Sequence, residues 1–205
     1  MSGVAIGALI ALGLGVMVVR RRSVATLLVA AQSLLLGIAA IGLSDGHASE
    51  FAIAGAVLFV RAAALPALFA VTLRRTPEPR LVVAAAPAAV RLLAGAVAAL
   101  AAAALAPSLG IADRAAEQGA VALLVLGMAI VVMRRPTLFQ ALGRLVAENG
   151  VYLLALSVEG GLPAVIELGV LFDLLVVLTV VAAFSYGIHR EVGSGDTELL
   201  KGLRD

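Results

Sequence analysis

The feature that most constrains this chain is the recurrence of apolar runs about as long as a lipid bilayer is thick. A hydrocarbon core of about 30 Å is crossed by about 20 helical residues. Because the runs are continuous and lack the period-two alternation of barrel strands, they predict helices. The sequence thus predicts an all-α, polytopic membrane protein with about seven transmembrane helices, at about residues 3–19, 24–43, 51–73, 81–105, 118–133, 137–157 and 162–187.

Composition agrees with this class and excludes several others. Only 14% of the 205 residues are charged, whereas an ordinary soluble domain is about a quarter charged. The net charge of +2 does not indicate nucleic-acid binding, because the basic residues lie mostly in short loops. The chain has no cysteine, which excludes disulfides and iron–sulfur ligation, and its two histidines fall in a loop and a tail. We therefore expect no metal or cofactor in this chain.

The basic residues also predict the orientation. Arginines follow every odd-numbered predicted span, whereas the loops after the even-numbered spans contain one basic residue, Arg114. The positive-inside rule places such arginines in the cytoplasm. We therefore predict an N-terminus outside the membrane and a cytoplasmic tail at residues 188–205.

Six ionisable side chains remain within the predicted spans: Arg61, Arg91, Arg144, Glu148, Glu167 and Asp173. From a helical rise of about 1.5 Å per residue, we predict four of them and one amide near the membrane midplane: Arg61, Arg91, Glu148, Asp173 and Gln32. A charge at the midplane costs at least about 2.5–3.5 kcal/mol. Each such group is therefore expected to face another helix, water or a partner subunit.

Two interpretations of these charges stay open at this level. Arg144 and Glu148 are four residues apart, so they share a helix face and are predicted to pair. In the structural interpretation, such pairs only hold the bundle together. In the functional interpretation, several charges form a polar line that conducts protons along the midplane, because burial raises the pKa of a carboxyl group and a nearby arginine lowers it.

The two ends of the chain resemble each other weakly. The segment "VAAQSLLLG" at Val29–Gly37 resembles "VAENGVYLL" at Val146–Leu154, and each follows an arginine cluster. We predict Gln32 to be the counterpart of Glu148. Residues 1–80 would then be a diverged copy of residues 118–187, with residues 81–117 as a connecting helix and outer loop. Both three-helix units would enter the membrane the same way round, as a parallel repeat.

Three segments of the C-terminal half resemble a known family. The segments "GRLVAENGVYLLAL", "GLPAVIELGVLFDLLVVL" and "DTELLKGLRD" are similar to component E of hydrogenase-4 and its formate hydrogenlyase relatives. The upstream "LFVRAAALP" also fits this family, which tends to carry a basic residue at the place of Arg61. The last three predicted helices further resemble the K subunit of respiratory complex I and the C subunit of multisubunit cation/proton antiporters.

The resemblance implies a subunit of the bacterial inner membrane within a hydrogenase-like, complex I-related assembly. Its partners would be antiporter-like and complex I-like membrane subunits and a hydrogenase-type peripheral arm. Nickel–iron and iron–sulfur centres would belong to partner subunits, so this chain would carry no catalytic centre of its own. A non-conducting scaffold subunit and a freestanding secondary transporter remain the alternatives.

The resemblance also implies roles for individual residues. Glu148 corresponds to the mid-membrane glutamate of the small subunits, so it is expected to be the central proton relay. Our own hypothesis adds to this that Arg144 and Arg61 tune that glutamate and that Asp173 and Glu167 pass protons onward or outward. Three further residues of the spans are candidates for polar support: Gln32, Arg91 and Asn149.

Overall fold

The computed structural model describes residues 2–42, 62–63, 87–108, 110, 113–134 and 136–157. These residues form five helices: α1 (Gly3–Val18), α2 (Arg22–Gly42), α3 (Ala88–Leu105), α4 (Arg114–Met133) and α5 (Thr137–Ala155). The all-helical prediction is therefore confirmed for the described part of the chain. Apart from residues 62–63, which are helical, the predicted spans 51–73 and 162–187 lie outside the described residues.

Three of these helices, α2, α3 and α4, are long and apolar enough to cross a membrane. The helix α1 is also apolar but has only 16 residues. The helix α5 has 19 residues, and Arg144 and Glu148 lower its hydropathy. Helices of this length and composition are those expected of a membrane protein.

Local sequence explains where two of the helices begin. Asp113 caps α4, because its side chain accepts a hydrogen bond from the backbone N–H of Ala116 at 3.0 Å. Consequently α4 begins at Arg114, four residues before the predicted edge. Pro87 has extended backbone dihedrals and precedes α3, whose described helix begins at Ala88, whereas the predicted span began at residue 81. A proline is well suited to this place, because its missing N–H would be unpaired there in any case.

The helices α4 and α5 form an antiparallel hairpin with unusually close backbones. A Cβ atom placed on Gly127 would lie 2.5 Å from the carbonyl oxygen of Gly143. One placed on Gly150 would lie 2.7 Å from the carbonyl oxygen of Ala120. Small residues at a helix interface allow such close approach of two backbones. Within a membrane the hydrophobic effect does not drive helices together, so this dense packing contributes much of their attraction. This glycine contact holds α4 and α5 in one register.

The hairpin of α1 and α2 packs beside the hairpin of α4 and α5. Ile6 lies against Gly119, and Gly13 lies against Leu126, so α1 and α4 run in the same direction. The helix α3 packs on α1 and α4 through Gly95, which is close to Met17 of α1 and Leu126 of α4. Leucine, isoleucine and phenylalanine side chains fill the space between these helices, among them Leu9, Leu36, Leu123, Leu126, Ile130 and Phe139.

One end of the described bundle is rich in arginine. The turns between α1 and α2 and between α4 and α5 both lie there, because Arg134 donates to carbonyl groups at the end of α1. The start of α3 lies there too, because Gly95, two turns into the helix, is close to Met17 near the end of α1. We call this the arginine end, defined by Arg20, Arg21, Arg22, Arg91 and Arg134.

Candidate functional site

A network of neutral polar side chains lies in the middle of the bundle. The Nδ2 of Asn149 donates to the Oε1 of Gln32 at 2.8 Å. The Nε2 of Gln32 donates to the carbonyl oxygen of Leu9 at 2.8 Å. The Oγ of Ser33 donates to the Oδ1 of Asn149 at 3.3 Å. We call Gln32, Ser33 and Asn149 the amide network; all three are fully buried, and they join α1, α2 and α5.

The network corrects the predicted match between the two ends of the chain. Gln32 pairs with Asn149, which is 117 residues further along the chain. Aligning Val29 with Val146 gives the same separation, so Ala31, and not Gln32, is the counterpart of Glu148. The predicted correspondence between Gln32 and Glu148 was wrong by one residue. On a helix one residue is about 100° of rotation, so the two side chains address different neighbours.

The predicted pair of Arg144 and Glu148 is present on α5. The Nε of Arg144 lies 3.0 Å from the Oε1 of Glu148. The side chain of Arg144 is 45% exposed and that of Glu148 is 16% exposed. The pair therefore lies at the surface of the described helices, while the neighbouring Asn149 turns into the bundle. Glu148 is a proton-accepting group about 16 Å along α5 from Thr137, as counted from the helical rise.

Arg91 lies in the first turn of the described α3, which begins at Ala88, about 4.5 Å from the start of the helix. Its depth near the membrane midplane stays a prediction. Because Gly95 of the same helix is close to Met17 near the end of α1, this turn belongs to the arginine end. The side chain of Arg91 is fully buried, and within the described part of the chain none of its three guanidinium nitrogens has a hydrogen-bond partner.

Glu117 is a buried carboxylate that the sequence reasoning missed. It is fully buried, and its Oε1 lies 2.6 Å from the Nη1 of Arg114. Arg114 also donates to the carbonyl oxygens of Ala106 and Pro107, just after α3. The predicted span began at residue 118, which left Glu117 in a loop. An aspartate followed by acidic residues in the next turn is a helix-start signal, and it could have placed Glu117 on the helix.

Arg134 is the second buried ionic group that the sequence assigned only to a loop. Its Nη2 donates to the carbonyl oxygen of Val19 at 2.8 Å, and its Nη1 lies 3.5 Å from that of Met17. Its guanidinium carbon lies 3.5 Å from the ring centroid of Phe139. A cation at a helix C-terminus satisfies carbonyl groups that have no partner within the helix. Arg134 therefore joins the end of α1 to the start of α5.

The structure brings together the predicted pair of Arg144 and Glu148. It also joins Gln32 to Asn149, two candidates for polar support whose contact was not predicted. Arg61, Glu167 and Asp173 lie outside the described residues. Among the residues that are described, no three His, Cys, Asp or Glu side chains are grouped closely enough to hold a metal ion. Within these limits, the groups brought together are the ion-paired carboxylate of Glu148 and the hydrogen-bonded amides of Gln32 and Asn149.

The amide network allows a test of its structural role. Asn149→Leu is expected to cost about 1–3 kcal/mol, because it leaves the buried amide of Gln32 without one of its partners. The double variant Gln32→Leu/Asn149→Leu is expected to recover much of that loss, because apolar groups then replace both partners. The free energy of unfolding, measured by SDS titration in mixed micelles, checks this. Strictly additive losses would show that the two amides do not interact.

Comparison with known proteins identifies neither a family nor a solved fold. No protein-family model matches the chain, and no solved structure matches it. One similar protein, "Uncharacterized protein Rv0085" from Mycobacterium tuberculosis, is 29% identical over 90 residues, which are 44% of this chain and 41% of that protein. The matched part thus spans less than half of either protein, and the relative's name states no activity. The chain is therefore characterised by its own residues: the part that the structure describes is all-helical, with three candidate membrane spans and a buried polar centre.

Proposed function

We propose that this chain is a membrane subunit of a hydrogenase-like, complex I-related assembly, in which it contributes to a proton-translocation path. The observation that carries the proposal is the position of Glu148. This carboxylate lies more than halfway along α5, is ion-paired to Arg144 at 3.0 Å, and directly precedes Asn149 of the amide network. The resemblance to hydrogenase-4 component E assigns the relay role to the same glutamate.

In the proposed assembly, another subunit covers the ion pair of Arg144 and Glu148. A charged pair on the lipid side of a membrane helix is costly, and the side chain of Arg144 is 45% exposed. An antiporter-like subunit covering this face of α5 would remove that cost. Charge movement in such a neighbour would strengthen or weaken the attraction between Arg144 and Glu148. Glu148 would then release or take up a proton accordingly.

The amide network has a positioning role in this proposal. It fixes α5 against α1 and α2 through buried hydrogen bonds, and thereby fixes the face on which Glu148 lies. Arg61 would act with Arg144, and Glu167 and Asp173 would continue the path. Arg91, by contrast, is too close to the arginine end to support a relay at the level of Glu148.

The proposal includes a complete topology of seven helices in the bacterial inner membrane. The arginine end would face the cytoplasm by the positive-inside rule. Two three-helix units would form a parallel repeat. This is supported by the common direction of α1 and α4 and by the contact of Gln32 with its counterpart Asn149. Redox chemistry would belong to nickel–iron and iron–sulfur centres of the peripheral arm.

The Glu148→Gln variant tests the proposed function in intact membranes that carry the assembled complex. Hydrogenase turnover with a soluble electron donor is expected to persist, while dye-reported proton movement falls by about tenfold or more, since a general acid–base group typically contributes 10²–10⁴-fold. Glu148→Asp is the matched control, because it keeps a carboxylate and is expected to retain part of the proton movement. Co-purification of the partner subunits establishes that each variant is assembled.

A scaffold function is the second candidate, and one observation favours it. Arg144 and Glu148 already compensate each other within one turn of α5, as a purely structural pair would. Unchanged turnover and unchanged proton movement in an assembled Glu148→Gln complex would reject the relay and leave the scaffold.

A further inference from the structure

We propose that the hydroxyl group of Tyr152 exchanges the proton with Glu148, on the side of Glu148 that lies away from the arginine end. This inference rests on the proposed function, because Glu148 must itself be a relay. The starting observation is the spacing on α5. Arg144, Glu148 and Tyr152 follow one another at intervals of four residues, so each step is about 6 Å along the helix and about 40° around it. The three side chains form a row with Glu148 in the middle.

The row runs from the arginine end toward the opposite end of the bundle. The helices α4 and α5 are antiparallel, and Gly150 lies against Ala120, so the second half of α5 lies beside the first half of α4. Arg144 is therefore one turn nearer to the arginine end than Glu148, and Tyr152 is one turn further from it. A proton that reaches Glu148 from the arginine end would meet Tyr152 next.

The row also leads from the surface of the described helices into their interior. The side chain of Arg144 is 45% exposed and that of Glu148 is 16% exposed, whereas Tyr152 is buried together with its hydroxyl oxygen. A buried hydroxyl group is costly unless it is hydrogen-bonded, so packing alone would favour phenylalanine at position 152. A hydroxyl group can donate and accept a hydrogen bond at the same time, and a proton relay requires both.

Side-chain direction and charge bring Glu148 and Tyr152 together. Side chains on a helix lean toward its N-terminus, so the ring of Tyr152 extends over the turn that carries Glu148. As a carboxylate, Glu148 is held on its other side by Arg144, at 3.0 Å. A protonated carboxyl group is neutral and loses that Coulombic attraction. It can then turn from Arg144 toward the hydroxyl group one turn further along the helix.

The transfer is balanced as one concerted step. The carboxyl O–H bond of Glu148 breaks as its proton moves to the oxygen of Tyr152. At the same time the original O–H bond of Tyr152 breaks, and that proton moves to a water molecule on the far side. Tyr152 is neutral before and after the step, and Glu148 returns to Arg144 as a carboxylate. Arg144 therefore holds Glu148 only in its charged form, so the contact with Tyr152 depends on protonation.

The Tyr152→Phe variant tests the proposal in intact membranes that carry the assembled complex. It removes one oxygen atom and keeps the ring, so hydrogenase turnover and co-purification of the partner subunits are expected to be unchanged. Dye-reported proton movement is expected to fall by about tenfold or more, since a group that takes part in proton transfer typically contributes 10²–10⁴-fold. Ser157→Ala is the matched control, because the hydroxyl group of Ser157 already donates to the carbonyl oxygen of Leu153 at 2.7 Å. This control is expected to move protons as the wild type does.

Infrared spectroscopy of the purified full chain tests the contact apart from transport. At a pH low enough to protonate Glu148, its carboxyl C=O stretching band is identified by its loss in Glu148→Gln. The band is expected to shift in Tyr152→Phe but not in Ser157→Ala, because a hydrogen bond to the hydroxyl group changes this vibration.

Two results would overturn the role of Tyr152 and leave the proposed function intact. One is an unshifted band in Tyr152→Phe. The other is wild-type proton movement in an assembled Tyr152→Phe complex while Glu148→Gln lowers it. Unchanged proton movement in assembled Glu148→Gln would overturn both proposals.

Discussion

Replacing Gly143 by leucine is expected to separate α4 from α5 and to abolish the native packing of the bundle. A Cβ atom at this position would lie 2.8 Å from the carbonyl oxygen of Gly127 and 2.9 Å from the backbone nitrogen of Val131. Both are backbone atoms of α4, so no side-chain rotation can relieve the contact. Overpacking of a core typically costs about 1–3 kcal/mol, and a clash with backbone is expected to fall at or above the upper end.

The loss of stability should increase with the size of the side chain introduced at position 143. Gly143→Ala is expected to shift SDS-induced unfolding of the full chain to a lower SDS fraction, and Gly143→Leu to leave no cooperative transition by circular dichroism. The matched control is Gly7→Ala on α1, since a Cβ atom at Gly7 would meet nothing within 4 Å. This control is expected to be neutral or to gain up to about 1 kcal/mol from helix propensity. A cooperative transition of Gly143→Leu at the wild-type midpoint would disprove the close contact of α4 and α5.

Removing the guanidinium of Arg134 is expected to cause the second large loss of stability. It would weaken the contact between the hairpin of α1 and α2 and the hairpin of α4 and α5. Arg134→Met keeps an apolar stem of similar length but loses the hydrogen bond to Val19, the weaker one to Met17, and the stacking on Phe139. A hydrogen bond to a charged group contributes about 1.5–3 kcal/mol, and a cation–π contact about 0.5–2 kcal/mol. Burial of the charge offsets part of this, so the net loss should be about 2 kcal/mol.

Two measurements locate this effect. The SDS titration gives the free energy of unfolding, and hydrogen exchange reports whether the last turn of α1 opens more readily in Arg134→Met. The free energy of unfolding of Arg134→Lys should lie between those of the wild type and Arg134→Met. An ammonium keeps the charge but cannot span two carbonyl groups and stack on a ring. Arg21→Met is the control, because Arg21 is an exposed side chain at the same end. Wild-type exchange rates at the end of α1 in Arg134→Met would refute the capping role.

The polar sites differ in how far the sequence could predict them. The pair of Arg144 and Glu148 was predictable, since both lie within one helical turn and need no tertiary information. Gln32 and Asn149 are 117 residues apart, the same separation as Val29 and Val146, so the weak repeat pairs these two amides, whereas the prediction matched Gln32 with Glu148, one residue away. Glu117 was assigned to a loop because hydropathy marks the apolar part of a helix, whereas Asp113 starts α4 earlier. The depth of Arg91 stays a prediction; the structure shows that Pro87 immediately precedes the described α3.

The sequence by itself determined that this chain is helical and has segments able to cross a membrane. Hydrophobic length and continuity are local properties, and the bilayer leaves a helix as the simplest way to pair the backbone groups of each apolar segment. Only the tertiary structure decided which glycines meet, which arginine caps α1, and which amides share a hydrogen bond. Apolar helices have many nearly equivalent faces, and the choice among them depends on packing and on buried polar contacts between residues distant in sequence.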